Sequence, residues 1–267
     1  LCKDKPFILI SFRLKIERKN MELLIEEAAK IIRDSKFTIA FTGAGISVES
    51  GIPPFRGKHG LWNRYNPEVL DLSFYLEDPA HCWKFIREIF YDFFADAKPN
   101  AAHLVLARME EKGLLQSVVT QNIDNLHQEA GSKTVHEFHG NSKKLKCMKC
   151  GKIFHAKDIN FENIPPECDK DGEVLKPDFI FFGEGIPRAA YENSFADAEK
   201  AEVCIIVGST GEVTPASFVP RAAKQNGATI IEINPQESMF TNYITDIHLK
   251  GKASDTLTQL EKHLFDD

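Results

Sequence analysis

Largely apolar runs of five or six residues recur along this chain, and they lack the two-residue alternation of a half-exposed strand. They are FTIAF (37–41), QSVVT (116–120), VCIIVG (203–208) and TIIEIN (229–234). Strands of this kind are covered on both faces. FIFFG (179–183) and DIHLKG (246–251) are further strand candidates. Between the runs lie stretches of helical spacing. In MELLIEEAAKIIRD (21–34), Leu24, Ala28, Ile31 and Ile32 share one helical face, and 101–112, 188–200 and 215–226 also read as helices. Strands that alternate with helices imply an α/β chain with a mostly parallel sheet and helices on both faces.

Two stretches break the alternation. Residues 56–100 mix helical and loop signals and are dense in aromatics, among them Trp62, Tyr65, Trp83, Phe85, Phe90, Tyr91, Phe93 and Phe94. Residues 140–178 hold three of the six cysteines. Both read as insertions that build a smaller lobe, leaving about 21–55, 101–139 and 179–267 to the main one. Residues 1–20 are expected to be an N-terminal extension, with the first helix opening at Met21. The apolar run Phe7–Phe12 is too short and too closely flanked by charge for a secretory signal.

Bulk properties narrow the function classes. With 43% hydrophobic and 27% charged residues, 267 residues can bury a sizeable core. A net charge of −6 argues against a general nucleic-acid binder. No apolar stretch approaches the ~20 residues of a membrane span. Six cysteines in a chain this long do not make a disulfide scaffold, so a reducing cytoplasm is expected.

Four features carry chemistry. In TGAGISVESGIPPFRG (42–57), closely spaced glycines after a strand can bring backbone N–H groups against a diphosphate at a helix start. The spacing is neither G-x-G-x-x-G nor a P-loop, so an ordinary turn remains open. Phe55 and Arg56 beside it could cover a flat ring and pair with phosphate. In TQNIDNLHQEAG (120–131), Gln121, Asn122, Asp124 and Asn125 crowd the carboxyl end of a strand, where open α/β sheets bind ligands; a helix cap would need only one of them. In VHEFHGN (135–141), His139 stands before Gly140, on a turn that can face a cleft or simply the surface.

The fourth feature is C-x2-C-x17-C, formed by Cys147, Cys150 and Cys168, which fits zinc-ribbon spacing. Asp171 stands where a second pair would place its last cysteine. Aspartate is a legitimate zinc ligand that keeps the charge of a fourth thiolate, so a Cys3Asp site is expected. Asp169, His155 or water as fourth ligand, or three incidental thiols, are the alternatives.

Taken in order, GAGIS (43–47), GIPPFRG (51–57), TQNIDNLHQEAG (120–131), HG (139–140), the cysteine pair, KPDFIFFGE (176–184), GST (208–210) and INP (233–235) resemble the sirtuins, NAD-dependent protein deacylases. The likeness runs from about residue 21 to the end and is nearest to compact bacterial and archaeal members. It implies a Rossmann-like parallel sheet, a helical insertion and a small zinc-bearing lobe, with 21–267 as the catalytic domain. NAD would be the co-substrate and zinc structural.

The resemblance also implies roles. Gly43, Ala44, Gly45, Ser47, Val48, Phe55 and Arg56 would line the NAD loop. Gln121, Asn122, Ile123 and Asp124 would hold nicotinamide and its ribose, and Gly208, Ser209, Thr210, Asn234 and Ala253 the adenosine half. His139 would act as general base on a ribose hydroxyl, with Asn122 and Asp124 as catalytic partners. Ile180, Phe182, Gly183 and Glu184 would hold an acylated lysine presented in an extended strand. Cys147, Cys150, Cys168 and Asp171 would bind zinc away from the chemistry.

Sirtuins that prefer succinyl or malonyl groups carry a Tyr and an Arg three apart, where this chain has Ile86 and Ile89. An apolar pocket gives a carboxylate no partner, so acetyl or longer apolar acyl groups are expected, Arg87 being the residue that could overturn this. Direct nucleic-acid or membrane partners are not expected, and the chain should be a monomer or weak oligomer. Protein mono-ADP-ribosylation, a non-catalytic NAD or ADP-ribose sensor and a zinc-ribbon nucleic-acid module are the competing readings. The presence of His139, Asn122 and Asp124 together weighs for deacylation.

Overall fold

The computed structural model describes residues 5–56, 60–92, 94 and 96–265, with side chains from residue 18 onward. Gly57 and Phe93 of the stretches above lie outside the described residues. The chain opens with α1 (Lys5–Asp34), β1 (Thr38–Thr42), α2 (Leu72–Glu77), α3 (Pro79–Ile86) and α4 (Ala101–Glu111). There follow β2 (Ser117–Thr120), α5 (Leu126–Ala130), β3 (Val135–Glu137), β4 (Gly140–Cys147), β5 (Ile153–His155) and β6 (Leu175–Phe179). It closes with α6 (Arg188–Lys200), β7 (Val203–Val207), α7 (Phe218–Gln225), β8 (Thr229–Asn234), β9 (Ile247–Lys250) and α8 (Ala253–Phe265).

Six strands form one parallel sheet in the order β3-β2-β1-β7-β8-β9. This is the doubly wound arrangement, in which strand order reverses between β1 and β7. The apolar runs lack alternation because both faces are buried. Ala40, Val118, Ile205 and Ile231 pack with Ile25, Ala28, Ala29 and Ile32 of α1 and with apolar residues of α4 and α8. Their neighbours Ile39, Phe41, Val119, Cys204, Ile206 and Ile230 pack the other way, with Ala198 of α6 and Val219 and Ala223 of α7. Each Val, Ile or Phe among them contributes about 1.5–3 kcal/mol by leaving water, the alanines less.

A separate antiparallel sheet has the order β5-β4-β6. It packs with Trp83, Ile86, Ile89 and Phe90 in a third apolar cluster that includes Leu145, Cys147, Cys168, Leu175 and Phe179. Trp83 Nε1 donates to the Leu175 carbonyl (2.9 Å) and Tyr75 Oη to the same oxygen (3.0 Å), tying the helical insertion to β6. No helix among the described residues is long and apolar enough to cross a membrane.

Three local expectations are corrected. The first helix does not open at Met21 but runs unbroken from Lys5, since nothing in 5–20 breaks a helix interior beyond Pro6 near its start. The run FIFFG is not a strand of the parallel sheet. The strand here is Leu175–Phe179, at the edge of the small sheet, a position that tolerates Pro177 without its N–H. Beyond it the chain turns through Gly183 at φ +82°, a conformation that favours glycine. The third difference is β3, a three-residue edge strand too short to leave an apolar run in VHE.

Candidate functional site

β1, β2 and β7 end level, because Thr42 lies opposite both Thr120 and Val207. The three loops that follow, TGAGIS, TQNID and GST, therefore open together at the point where strand order reverses, the usual ligand crevice of such sheets.

The glycines of the first loop serve packing before anything else. Gly43 N donates to the Val207 carbonyl (3.0 Å) and Gly45 N to the Gly208 carbonyl (2.8 Å). A Cβ on Gly45 would stand 2.6 Å from Gly208 Cα, and one on Gly208 would stand 2.4 Å from Ile46 N. Two backbones lie against each other there with no room for a side chain. Ala44–Ser50 then forms a 3-10 helix, with Ser47 buried and Val48 half-exposed.

Ser47 centres one half of the site. Its hydroxyl donates to Asp124 Oδ2 (2.7 Å) and accepts from Asn122 Nδ2 (3.1 Å). Asn122 Nδ2 also donates to the Gly43 carbonyl (3.1 Å), which joins the first loop to the second. Burial raises the Asp124 carboxyl above its ordinary pKa, against hydrogen bonds from Leu126 N–H and Ser47. Ile123 is buried, and its carbonyl accepts both Ser142 N (2.9 Å) and Ser142 Oγ (2.6 Å). Asn125 takes φ +67°, which lets the loop turn into α5.

His139 sits between β3 and β4. Its Nδ1 lies 3.0 Å from the Gln121 carbonyl, so this nitrogen carries the proton and Nε2 keeps a free lone pair. Burial lowers its pKa from the ordinary histidine value, the Gln121 carbonyl opposing. The ring is thus a neutral base held by the residue next to Asn122. Gln121 Nε2 in turn donates to Ser209 Oγ (2.9 Å). Asn234 Nδ2 donates to the Ser209 carbonyl (3.1 Å) and to Glu232 Oε1 (2.8 Å). A continuous set of hydrogen bonds thus crosses the sheet's carboxyl edge from His139 to Asn234, with Gly208 and Thr210 flanking Ser209.

The remaining expected residues surround this line. Phe55 packs on Trp62 and Phe90, with ring centroids 5.4 and 6.4 Å apart. Arg56 pairs with Glu212 across the loops (3.1 Å), both half-exposed. Ala253 is buried at the start of α8, where Ser254 N donates to Glu49 Oε2 (2.9 Å). The edge 180–184 meets the site through Ile180 N, which donates to the His139 carbonyl (2.8 Å). It meets the helical insertion through Phe182, whose N–H bonds Leu70 O and whose carbonyl accepts Leu72 N. Phe182 and Gly183 are exposed, while Glu184 turns a carboxylate oxygen toward Lys176 Nζ (2.8 Å).

Several buried polar groups under the site were not anticipated. His103 and His127 are buried with ring centroids 4.9 Å apart. His127 Nε2 lies 2.9 Å from Thr42 Oγ1, and His103 Nε2 lies 3.4 Å from Ser47 Oγ. Burial pushes His103 down to about 4 and His127 well below its ordinary value, so both are neutral at pH 7. Asn100 caps α4 and donates to the Ile46 carbonyl (2.7 Å). Glu232, fully buried, also accepts hydroxyls from Ser238, Thr241 and Thr245. The signals were present: Asn100 and His103 have capping-box spacing, and Glu232 is a lone carboxylate in an apolar strand.

Cys147, Cys150, Cys168 and Asp171 form the one potential metal-holding group among the described residues, with ligand atoms all within 4.8 Å of one another. Cys150 and Cys168 sulfurs lie 3.7 Å apart, and Cys147 Sγ lies 3.4 and 3.6 Å from the Asp171 oxygens. Tetrahedral zinc with Zn–S near 2.3 Å and Zn–O near 2.1 Å requires S···S of about 3.8 Å and S···O of about 3.6 Å. The donor set fits zinc. Asp169 instead pairs with Lys152 (2.7 Å). The group closes the far end of β4 from His139, an eight-residue strand and so about 20 Å away.

Residues 43–215, more than half of the chain, match the profile described as the Sir2 family. An NAD-dependent protein deacylase of Thermococcus sibiricus is 43% identical over 247 residues, 89% of this chain and 95% of that protein. A mutant Sir2 homologue in complex with ADP ribose superposes with a TM-score of 0.84 at 40% identity, over 89% of this chain and 95% of that one. A mutant Sir2 with deacetylated p53 peptide and 3'-O-acetyl ADP ribose superposes with a TM-score of 0.85 at 34% identity, over 89% and 97% of the two chains.

Proposed function

The chain belongs to the Sir2 family, and on that footing we propose that it is an NAD-dependent protein-lysine deacylase whose general base is His139. NAD, when bound, supplies a ribose carbon that loses nicotinamide and receives the acyl oxygen. Everything else falls to the residues of this chain.

The observation that carries the reading is the neutral imidazole of His139, locked by the Gln121 carbonyl with Nε2 free, beside the Asn122–Ser47–Asp124 group. A base for a sugar hydroxyl must be unprotonated near neutral pH, and burial keeps His139 so. Asn122 and Asp124 are oriented by the Ser47 hydroxyl and the Gly43 carbonyl, so their positions cost no reorganisation when a ligand arrives. On the adenosine side, Asn234 spends its amide N–H groups on Ser209 and Glu232, which leaves Oδ1 as an acceptor for ribose hydroxyls. Arg56 pairs with an exposed carboxylate and can exchange that partner for a diphosphate.

The substrate is an acylated lysine carried in an extended strand against 180–183, with Ile180 and Phe182 flanking the acyl chain. Ile86 and Ile89 are buried in the cluster that holds Phe55 and Phe90, while Arg87 turns to Asp92 (3.3 Å). Ile86 and Ile89 are apolar and Arg87 is paired away with Asp92, which supports acetyl or longer apolar acyl groups. Zinc held by three thiolates and Asp171 serves the small sheet rather than the reaction. The thiols of Cys82 and Cys204, both free and buried, suit a reducing cytoplasm. Incubating the protein with NAD and an acetylated peptide tests the reading: deacetylated peptide, nicotinamide and acetyl-ADP-ribose support it, and ADP-ribose attached to protein instead refutes it.

A further inference from the structure

Lys176 is a lysine that no step above uses, and its side chain is 3% exposed. All three ammonium protons have partners. Nζ donates to the Pro177 carbonyl (2.9 Å), the Phe179 carbonyl (2.8 Å) and Glu184 Oε2 (2.8 Å). It also lies 4.2 Å from the centre of the Phe181 ring. Glu184 Oε2 accepts a second bond, from Phe181 N (2.9 Å). The segment 180–184 belongs to no helix or strand, so its own ladder does not shape it. The ammonium and the carboxylate shape it instead: Lys176 holds the Pro177 and Phe179 carbonyls that lead into it, and Glu184 folds back on its middle. The outer atoms of the same segment are fixed by the His139 and Leu70 carbonyls.

We propose that Lys176 and Glu184 are positioning residues, an inward ion pair that holds the edge Ile180–Gly183 in the shape that receives the acylated-lysine strand and seats it on the backbone of His139. The inference rests on the deacylase reading and adds to it that Glu184 acts on the substrate through the loop rather than by touching it. A buried charge pair is a poor source of stability, since apolar residues of like volume do as well, but it enforces one geometry. Removing one partner leaves the other charge stranded, whereas removing both does not.

The test uses Glu184→Gln, which keeps an acceptor for Phe181 N–H but removes the charge, together with Lys176→Met, Lys176→Arg and the double variant Lys176→Met/Glu184→Gln. Melting temperature, NAD affinity, and KM and kcat for an acetylated peptide are read for each. Each charge-removing single variant should raise the peptide KM by about tenfold or more with NAD affinity within about twofold, kcat changing less than KM. Lys176→Arg should recover most of the loss, and the double variant should be milder than the worse single one. If Lys176→Met does not fold, Glu184→Gln decides: a folded Glu184→Gln with wild-type peptide KM overturns the inference. NAD affinity and peptide KM worsening in parallel would mark general damage and also overturn it. Wild-type protein that turns over no acylated peptide overturns the deacylase reading and this inference with it, which separates the two failures.

Discussion

Replacing Gly45 by alanine tests whether the glycines of the first loop are there for packing. The added Cβ would stand 2.6 Å from Gly208 Cα and 2.7 Å from Gly208 O, where ordinary contact begins at 3.4 Å. The loops must therefore part by about 0.8 Å, the difference between 3.4 and 2.6 Å. Both partners are backbone, so no side chain can swing away. The same movement stretches the Gly45 N–Gly208 O bond from 2.8 Å past the hydrogen-bond limit. Overpacking contributes about 1–3 kcal/mol, and the lost bond about 0.5–1.5 kcal/mol. The expected destabilisation is about 1.5–4.5 kcal/mol, the sum of the two. Because Ser47 lies on this loop and Asn122 is held by its Gly43 carbonyl, NAD affinity should fall by at least about tenfold. Urea unfolding and NAD titration measure the two effects. Gly185→Ala, where a Cβ meets nothing within 4 Å, is the stability control and should change little. A Gly45→Ala protein with wild-type unfolding midpoint and NAD affinity would refute the packing argument.

Asp171→Ala should weaken zinc binding by about a hundredfold, and Asp171→Cys should strengthen it, in competition with a chromophoric chelator; equal affinity in all three proteins would remove Asp171 from the ligand set. Stability should fall as pH drops from 6.5, because His103 and His127 are buried neutral and the unfolded chain takes up their protons first. Between pH 6.5 and 5 the loss from His103 alone is about 1–2 kcal/mol, and His127 and His139, also lowered by burial, act in the same sense. A melting temperature that is flat over that range, or a His103→Gln protein with the wild-type slope, would contradict this. Acetyl- and myristoyl-peptides should be processed with much higher kcat/KM than a succinyl-peptide, and efficient desuccinylation would show that Ile86 and Ile89 do not line the acyl pocket.

The parallel sheet was legible because burial on both faces writes itself as unbroken apolar runs. The loop residues were legible because polar side chains such as Asn122 and Asp124 crowd a strand end, where folding alone needs one cap. The cysteine spacing pointed to the cluster Cys147, Cys150, Cys168 and Asp171, whose ligand atoms lie close enough to hold a metal. What could not be read depends on distant partners. Lys176 and Glu184 look like ordinary surface charges until the segment after β6 is seen to turn Glu184 back onto Lys176. Glu232 shows no sign of its three hydroxyl donors, which come from the later segment 238–245. The misplaced strand at FIFFG has the same origin. Its apolar run serves the aromatic cluster of the small lobe, where Phe179 and Phe181 stack 5.3 Å apart, rather than a sheet buried on two faces.

The most direct measurement of the central claim is a comparison of wild type with His139→Ala on NAD and an acetylated peptide, with products identified by mass spectrometry and NAD affinity measured separately. Wild type should release one nicotinamide and form one acetyl-ADP-ribose for each lysine freed. His139→Ala should be slower by about a hundredfold to ten-thousandfold, the usual contribution of a general base, with NAD affinity nearly unchanged. Wild-type turnover by His139→Ala would contradict the assignment of the base, and a wild type that leaves the peptide acetylated would contradict the account as a whole.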